Sequence, residues 1–582
     1  MSMDEIIVRV TGLTKKFYNK ALKKEVAVLD HVSFDVHAGR LMAVIGPDGA
    51  AKTTLLRLIC GLMAPDDGNI SVKGFDTLTT PQAIHDFVSY MPQRFSLYAE
   101  LTVRENLDLY ASLYGVAPEL RPERYRRLLK LSGLEPFTER PAGKLSGGMK
   151  QKLGLICVLV RSPELLLLDE PTVGIDPLFR REIWEILHEL VATDKLTIVV
   201  TTAYMDEAWY CDEVLLLGRK HIMLQGRPRE LLNRSAVTCW KVRAPERLPA
   251  RILQVGLLQD TDCVIDAVPA NGAVRFSLKE NRSLSDLRLF KEFPELKAVR
   301  TEKWLEDELI VMLRKDSSFV SGEISLDYRR DYSLSAETDI EVKNLVRKFG
   351  DFTAVNDISF NVHRGEIFGL LGSNGAGKTT IFRMLCGLLP VTGGEILVGG
   401  VNLRRAGAKA KGQIGYVAQQ FSMYRVLSVR ENLSFFGGAY GLYGQELKQR
   451  IEEVLQQFGL TEVADRPVDE LPGGFQKRLS MAAGLLHRPR ILFLDEPTSG
   501  IDVSARRIFW QQITALAAGG TTVVVTTHFM EEAEFCDRIV IIDQGRMLAM
   551  GTPAEVRQRY ASKDSNMDDV FIGIIKGERR EA

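Results

Sequence analysis

Leu370-Leu371-Gly372-Ser373-Asn374-Gly375-Ala376-Gly377-Lys378-Thr379-Thr380 decides how this chain folds. The apolar residues Ile367, Phe368, Leu370 and Leu371 predict a buried parallel strand, and apolar side chains recur at helical spacing from Thr379 onward. Between strand and helix, glycines let the backbone curl around an anion. The helix start points unpaired N–H groups, and the positive end of its dipole, at that anion. This is a complete phosphate loop in the strand-loop-helix setting it requires. Lys378 supplies a point charge for the β- and γ-phosphates, and the Thr379 hydroxyl is placed to ligate magnesium.

The pattern occurs twice. Gly46-Pro47-Asp48-Gly49-Ala50-Ala51-Lys52-Thr53-Thr54 repeats it, with Lys52 and Lys378 lying 326 residues apart. Gln93 and Gln419, Gly147 and Gly473, Asp169 and Asp495, and Asp176 and Asp502 share that separation. Two copies of one domain are therefore fused with almost no insertion between their motifs. The fold class predicted is α/β: two tandem phosphate-loop domains, each with a helical subdomain over 101–134 or 427–460, plus a small α+β appendage and a linker between them.

Each copy opens with a strand and an aromatic, Phe17 or Phe349, placed either to stack on a purine or to fill the core. Ser89-Tyr90-Met91-Pro92-Gln93 and Gly415-Tyr416-Val417-Ala418-Gln419 are strands ending in a glutamine. Helix starts follow at Leu145-Ser146-Gly147-Gly148-Met149 and Leu471-Pro472-Gly473-Gly474-Phe475. Buried strands then end in the acidic pairs Asp169-Glu170 and Asp495-Glu496, and a last strand leads to Thr201-Thr202-Ala203 or Thr526-Thr527-His528.

Composition narrows the class. At 582 residues the chain is too long for one core and predicts about three or four domains. Lys+Arg and Asp+Glu are equal at 75, so no basic excess points to nucleic acid as a partner. Seven cysteines form no CxxC pair, which predicts reduced buried thiols and no zinc or iron–sulfur site. No apolar run approaches the roughly 18 to 20 residues that cross a bilayer, and the first residues are unlike an export signal. The expectation is a protein that neither spans a membrane nor leaves the cytosol.

The combination of phosphate loop, glutamine loop, Leu-Ser-Gly-Gly-Met signature, hydrophobic-Asp-Glu strand and switch-histidine position resembles the ATP-binding domain of ABC transporters, over about 220 residues in each half. Phe95-Ser96-Leu97-Tyr98, followed by Leu101-Thr102-Val103-Arg104-Glu105-Asn106-Leu107, resembles the exporter branch serving drug and sodium efflux. The twinned arrangement is similar to ATP-binding components of bacterial exporters. The resemblance implies that Lys378 and the loop 372–380 hold ATP, while Thr379, Gln419 and Asp495 surround Mg2+, as Thr53 would in the first copy. It further implies that Glu496 is the general base, that His528 contacts the γ-phosphate, and that Asp502 couples two sites.

In that family the domains act as a head-to-tail pair, each nucleotide lying between the phosphate loop of one copy and the signature helix of the other. One site would join Phe349, the loop 372–380, Gln419, Asp495, Glu496 and His528 with Ser146, Gly147 and Gly148. The other would join Phe17, the loop 46–54, Gln93, Asp169, Glu170 and Ala203 with Pro472, Gly473 and Gly474. Three departures from the family pattern fall on this second set: Ala51 for the last loop glycine, Ala203 for the switch histidine, and Pro472 for the signature serine. The expectation is one competent site and one degenerate site that still binds ATP, because Lys52 and Thr53 survive.

The boundaries predicted are a first nucleotide-binding domain at 1–226, the appendage at 227–314, a linker at 315–338, a second nucleotide-binding domain at 339–555 and a closing helix at 556–582. Within the appendage, strand patterns fall at 237–242, 262–268 and 273–278, and helical ones at 284–292 and 302–313. Trp304-Leu305-Glu306-Asp307 and Met567-Asp568-Asp569-Val570-Phe571 resemble the closing helix of the exporter branch. The linker, if flexible, averages about 25 to 30 Å end to end.

The partners implied are two integral-membrane permease subunits, as a hetero-pair, received near Phe95, Tyr98, Phe421 and Tyr424. That places the chain on the cytoplasmic face of the bacterial inner membrane, with ATP and Mg2+, no nucleic acid, and no obligate homodimer. Two other classes also carry twinned domains of this kind: a translation factor acting on ribosomes, and the ATPase of a sugar importer. The first lacks exporter-like closing helices, and the second is disfavoured by the residues after each glutamine. Cargo contacts belong to the permease, so this chain does not name the cargo.

Overall fold

A computed structural model describes residues 5–19, 24–93, 97–232, 234–245, 248–316, 335–403, 412–419, 422–471, 473–560 and 565–581. Phe95, Phe421, Pro472 and most of the predicted linker lie outside the described residues. The chain divides into two compact units, Met1–Ser235 with Trp304–Ser317, and Ala236–Lys303 with Ser318–Ala582.

In the first unit a six-stranded sheet has the order Ile222–Gly226, Glu213–Leu217, Leu41–Ile45, Thr197–Thr202, Leu165–Asp169, Val88–Met91. Its neighbours pair in parallel except at the Ile222–Gly226 edge. The middle strands are buried along their whole length, as a parallel sheet covered on both faces requires. Three adjacent strands thus end at one edge, and there the chain passes into the phosphate loop, Ala203 and Glu170. A four-stranded sheet built mainly on Ile6–Asn19, Lys24–His37 and Asp67–Val72 covers the phosphate-loop helix Lys52–Ile59, with Val10, Leu13, Leu55 and Ile59 sharing one apolar cluster.

The second unit repeats this plan. Its six-stranded sheet runs Ile414–Val417, Ile491–Asp495, Thr522–Thr527, Ile367–Gly372, Arg538–Asp543, Arg546–Gly551. The helical runs predicted at 101–134 and 427–460 are each broken in two, Val103–Leu113 with Arg121–Ser132 and Val429–Ala439 with Gly444–Gln457. Thr102 with Glu105, and Ser428 with Glu431, start them as capping boxes.

Residues predicted as a single appendage at 227–314 are divided between the units. Pro228–Leu231 and the helix Leu305–Asp316 pack together in the first unit, and the helix also meets Asp206–Tyr210. Leu305 and Leu309 are wholly buried, which explains why the helix stays there. Met567–Glu581 closes the second copy in the same way, against Pro553–Tyr560 and Met530–Phe535.

The remainder, 236–303, is a β-α-β-β-α-β unit: Thr238–Arg243, Ala250–Gln259, Val264–Ala270, Ala273–Leu278, Arg288–Glu292, Ala298–Thr301. Its antiparallel sheet has the order Val264–Ala270, Ala273–Leu278, Thr238–Arg243, Ala298–Thr301, a ferredoxin-like arrangement. The helix Ala250–Gln259 is absent from the sequence reading: all residues from Arg251 to Leu257 are buried, so its polar residues Arg251 and Gln254 mark no solvent-facing side.

Truncating Leu309 should test the role of the first closing helix. Leu309→Ala is expected to cost about 2–5 kcal/mol, measured as faster amide exchange in Leu165–Asp169 with Ile491–Asp495 unchanged.

Candidate functional site

The second copy's site is assembled by its sheet. Lys378 leads the helix Lys378–Leu385, and its Nζ donates to the carbonyls of Gly372 (2.8 Å) and Ser373 (2.9 Å), folding the charge over the loop. Glu496 Oε1 lies 3.9 Å from it, with both side chains buried. Ser373 Oγ donates to Asp543 Oδ1 at 2.7 Å and braces the loop from the neighbouring strand. The Thr526 hydroxyl donates to Asp495 Oδ1 (2.6 Å) and accepts the Glu496 N–H (2.9 Å). Glu496 is thereby held at φ 43, a left-handed conformation costing roughly 1–2 kcal/mol for a residue with a Cβ. Gln419 Nε2 donates to its Oε2 at 2.7 Å, and His528 Nδ1 stands 3.2 Å from the same oxygen.

The first copy preserves most of this skeleton. Lys52 Nζ donates to Gly46 O (2.9 Å) and Pro47 O (3.3 Å) and lies 3.7 Å from Glu170 Oε1. The hydroxyls of Thr53 (3.1 Å) and Thr201 (2.8 Å) donate to Asp169 Oδ1, and Gln93 Nε2 donates to Glu170. Glu170 is also left-handed, at φ 50.

The differences are electrostatic and steric. Burial pushes the Glu170 carboxyl above its ordinary range; Lys52 works against this and Asp169 with it. Burial acts the same way on Glu496, but there the His528 imidazole, Lys378 and the Gln419 amide outweigh it and the carboxyl sits below its ordinary range. Ala203 is buried and its side chain carries no donor. Burial likewise raises Asp495, with the Thr526 hydroxyl acting in the opposite direction.

Ala51 occupies φ 69, whereas Gly377 takes φ 103. A Cβ at Gly377 would meet Ala354 O at 2.7 Å, so the last loop position favours glycine both by conformation and by space.

The signature helix Gly147–Leu159 is capped by Ser146, whose hydroxyl accepts the Met149 N–H at 3.3 Å. A Cβ at Gly148 would lie 2.3 Å from Phe179 Cγ, so this glycine admits the following helix. Asp176 and Asp502 cap the helices Pro177–Asp194 and Val503–Ala518. Gly473 and Gly474 begin the second signature helix, and Pro472 lies outside the described residues. Phe17 and Phe349 are 43% and 46% exposed, so neither fills the core. Their rings stand near Lys15 and Arg347.

Sequence reasoning missed the bracing groups Thr201, Thr526 and Asp543. It also missed Lys477, whose ammonium donates to the Gln419 carbonyl at 2.9 Å. The threonines were visible as a repeated strand end, but nothing local tied them to the acidic pairs. Among the described residues no cluster of three His, Cys, Asp or Glu could hold a metal alone. The donors present, one carboxylate with a hydroxyl and an amide oxygen, fit a magnesium ion held largely by phosphates and water.

The family described as ABC transporter matches residues 29–173 and 355–499. The probable multidrug ABC transporter ATP-binding protein YbhF of Escherichia coli (strain K12) is 44% identical over 576 residues, 98% of each chain. This chain belongs to the ABC transporter family. Its two ABC domains make it an ATP-hydrolysing transporter subunit. The linearmycin resistance protein LnrL of Bacillus subtilis (strain 168) is 45% identical over 244 residues, 41% of this chain and 78% of its own. Nod factor export ATP-binding protein I of Sinorhizobium fredii (strain NBRC 101917 / NGR234) is 42% identical over 255 residues, 43% of this chain and 73% of its own. Among the described residues, no helix of this ABC protein is long and apolar enough to cross a membrane.

The two loops make a reciprocal test. Gly377→Ala should destabilise the second copy by about 1–2 kcal/mol, lowering its thermal midpoint without nucleotide. Ala51→Gly should leave the first copy's midpoint unchanged or slightly higher, since relieved strain offsets the added freedom of the unfolded chain.

Proposed function

We propose that this chain drives export, hydrolysing ATP at the second phosphate loop and holding ATP as a structural clamp at the first. Two separate integral-membrane permease subunits, as a hetero-pair, would receive it at the cytoplasmic face of the bacterial inner membrane. The observation that carries the reading is the opposite displacement of the two acidic residues: with His528 3.2 Å away, the Glu496 carboxyl sits below its ordinary range, and beside Ala203 the Glu170 carboxyl sits above it. Export is supported by the relatives, whose names concern multidrug transport, linearmycin resistance and Nod factor export.

Hydrolysis follows from positioning and charge. Lys378 would exchange its two loop carbonyls for phosphate oxygens, while the loop N–H groups cradle them. Glu496 would accept a proton from the attacking water, which Gln419 orients, as the bond from the γ-phosphorus to the β-bridging oxygen breaks. His528 would donate to the γ-phosphate, where charge develops. Thr379, Gln419 and, through water, Asp495 would hold Mg2+, which when bound neutralises phosphate charge. The signature of the first copy would complete this site. The three departures, Ala51, Ala203 and Pro472, would meet at the other one.

The surface near each glutamine suits a permease. Tyr98 and Tyr424 are exposed, while a buried asparagine fixes the backbone beneath each: Asn106 with Tyr98 and Asn432 with Tyr424 exchange N–H and carbonyl bonds of 2.9 to 3.1 Å. Phe435 adds a half-exposed ring against Tyr424. ATP would favour the closed pair of domains, and hydrolysis would release it.

Glu496→Gln should reduce ATP turnover by about 10²–10⁴-fold, whereas Glu170→Gln keeps most of it; equal losses would remove the asymmetry. Without permease subunits in a membrane pull-down, the transport reading fails.

A pH profile offers a second check. Because Glu496 sits low, its acid limb should lie below the ordinary carboxylate range. In His528→Ala burial prevails, the carboxyl rises, and the acid limb of turnover moves to higher pH. An unmoved limb would separate His528 from the base.

A further inference from the structure

The insert at 236–303 is joined in sequence to the first unit at both ends, yet it is packed within the second. Its helix Ala250–Gln259 lies against Val503–Ala518, and Ala518 belongs to the insert's own apolar cluster. Val268 in turn packs on the core of the second copy. Two buried ion pairs accompany the apolar contact. Arg251 Nε donates to Asp537 Oδ1 at 2.9 Å, with side chains 4% and 8% exposed, and Arg507 pairs with Asp266, both buried. Buried pairs add little net stability, because desolvation offsets attraction, but they penalise any arrangement that separates the partners.

The partners stand at telling positions. Asp537 closes the segment that begins at His528, and its Oδ2 accepts the N–H of Ile367 at 2.9 Å, the first residue of the strand entering the phosphate loop. Arg507 lies on the helix that Asp502 caps. The strand Val264–Ala270 touches Met530–Phe535, the turn following His528. In the first copy Arg181, at the position of Arg507, is 54% exposed and pairs with Glu185 of its own helix.

We propose that the insert is a positioning device for the second ATP site. Arg251 and Asp266, acting through Asp537 and Arg507, hold the His528 segment and the Asp502 helix in the arrangement that hydrolyses ATP. These are positioning residues, since none of them reaches the phosphate loop. The proposal rests on the reading that the second site turns over.

The test uses the full chain carrying Arg251→Met or Arg507→Met, with Asp266→Asn as a shape-preserving alternative should either fail to fold. Amide exchange across 528–537, turnover, and affinity for a fluorescent ATP analogue are read together. Exchange should quicken there and turnover should fall about tenfold, while affinity changes less than about threefold. Asp266→Arg with Arg507→Asp should recover turnover that either change alone removes. The proposal is overturned if exchange quickens in 250–259 while 528–537 and turnover stay as in the unaltered protein, for then the insert only buttresses the fold. Absent turnover in the unaltered chain would reject the hydrolytic reading, and exchange at 528–537 would still decide whether the insert positions this segment.

Discussion

One threonine hydroxyl holds the acidic strand end of each copy together. Thr526 gives its proton to Asp495 and takes the N–H of Glu496, and Thr201 does the same for Asp169 and Glu170. This works only because the parallel strands are in register, Asp495 beside Thr526 and Asp169 beside Thr201. A slip of one residue would turn the hydroxyl to the other face of the sheet. The fully buried strands that fix the register therefore also fix where the acidic side chains point, and the left-handed backbone at both glutamates is sustained by the same hydroxyls.

On that shared frame the two copies differ by few atoms. An imidazole near Glu496 joins Lys378 and Gln419 in outweighing burial at its carboxyl, and with only a methyl group at position 203 burial outweighs Lys52 and Gln93 at Glu170. The phosphate loops, by contrast, keep their lysines in the same grip on loop carbonyls. On the proposed reading, anion binding and the chemistry that follows it are separable in this fold: the first would depend on backbone and lysine, the second on what surrounds one carboxylate.

Much of this was legible in the sequence, for identifiable reasons. The phosphate loops, the acidic strand ends and the repeat announce themselves because their chemistry is local: a fixed run of residues must adopt one shape. The sequence marks Ala51 only as a departure from glycine, and its left-handed backbone is seen in the structure. The aromatics Phe17 and Phe349 stayed open between core and ligand until their exposure was seen. The helix Ala250–Gln259 was illegible since both its faces are covered. The pairs Arg251 with Asp537 and Arg507 with Asp266 were illegible because their partners lie 286 and 241 residues apart. Nor does spacing reveal that 227–235 and 304–316 belong with the first copy while the residues between them do not.

That exchange of territory bears on how such a polypeptide could have arisen. Severed at the tether, the amino-terminal product would display an apolar surface shaped for its absent sibling, and the carboxy-terminal product would leave Ala518 and two buried charges uncovered. Two separately encoded halves would each have to tolerate that uncovered surface, which favours keeping the insert and its neighbour on one polypeptide.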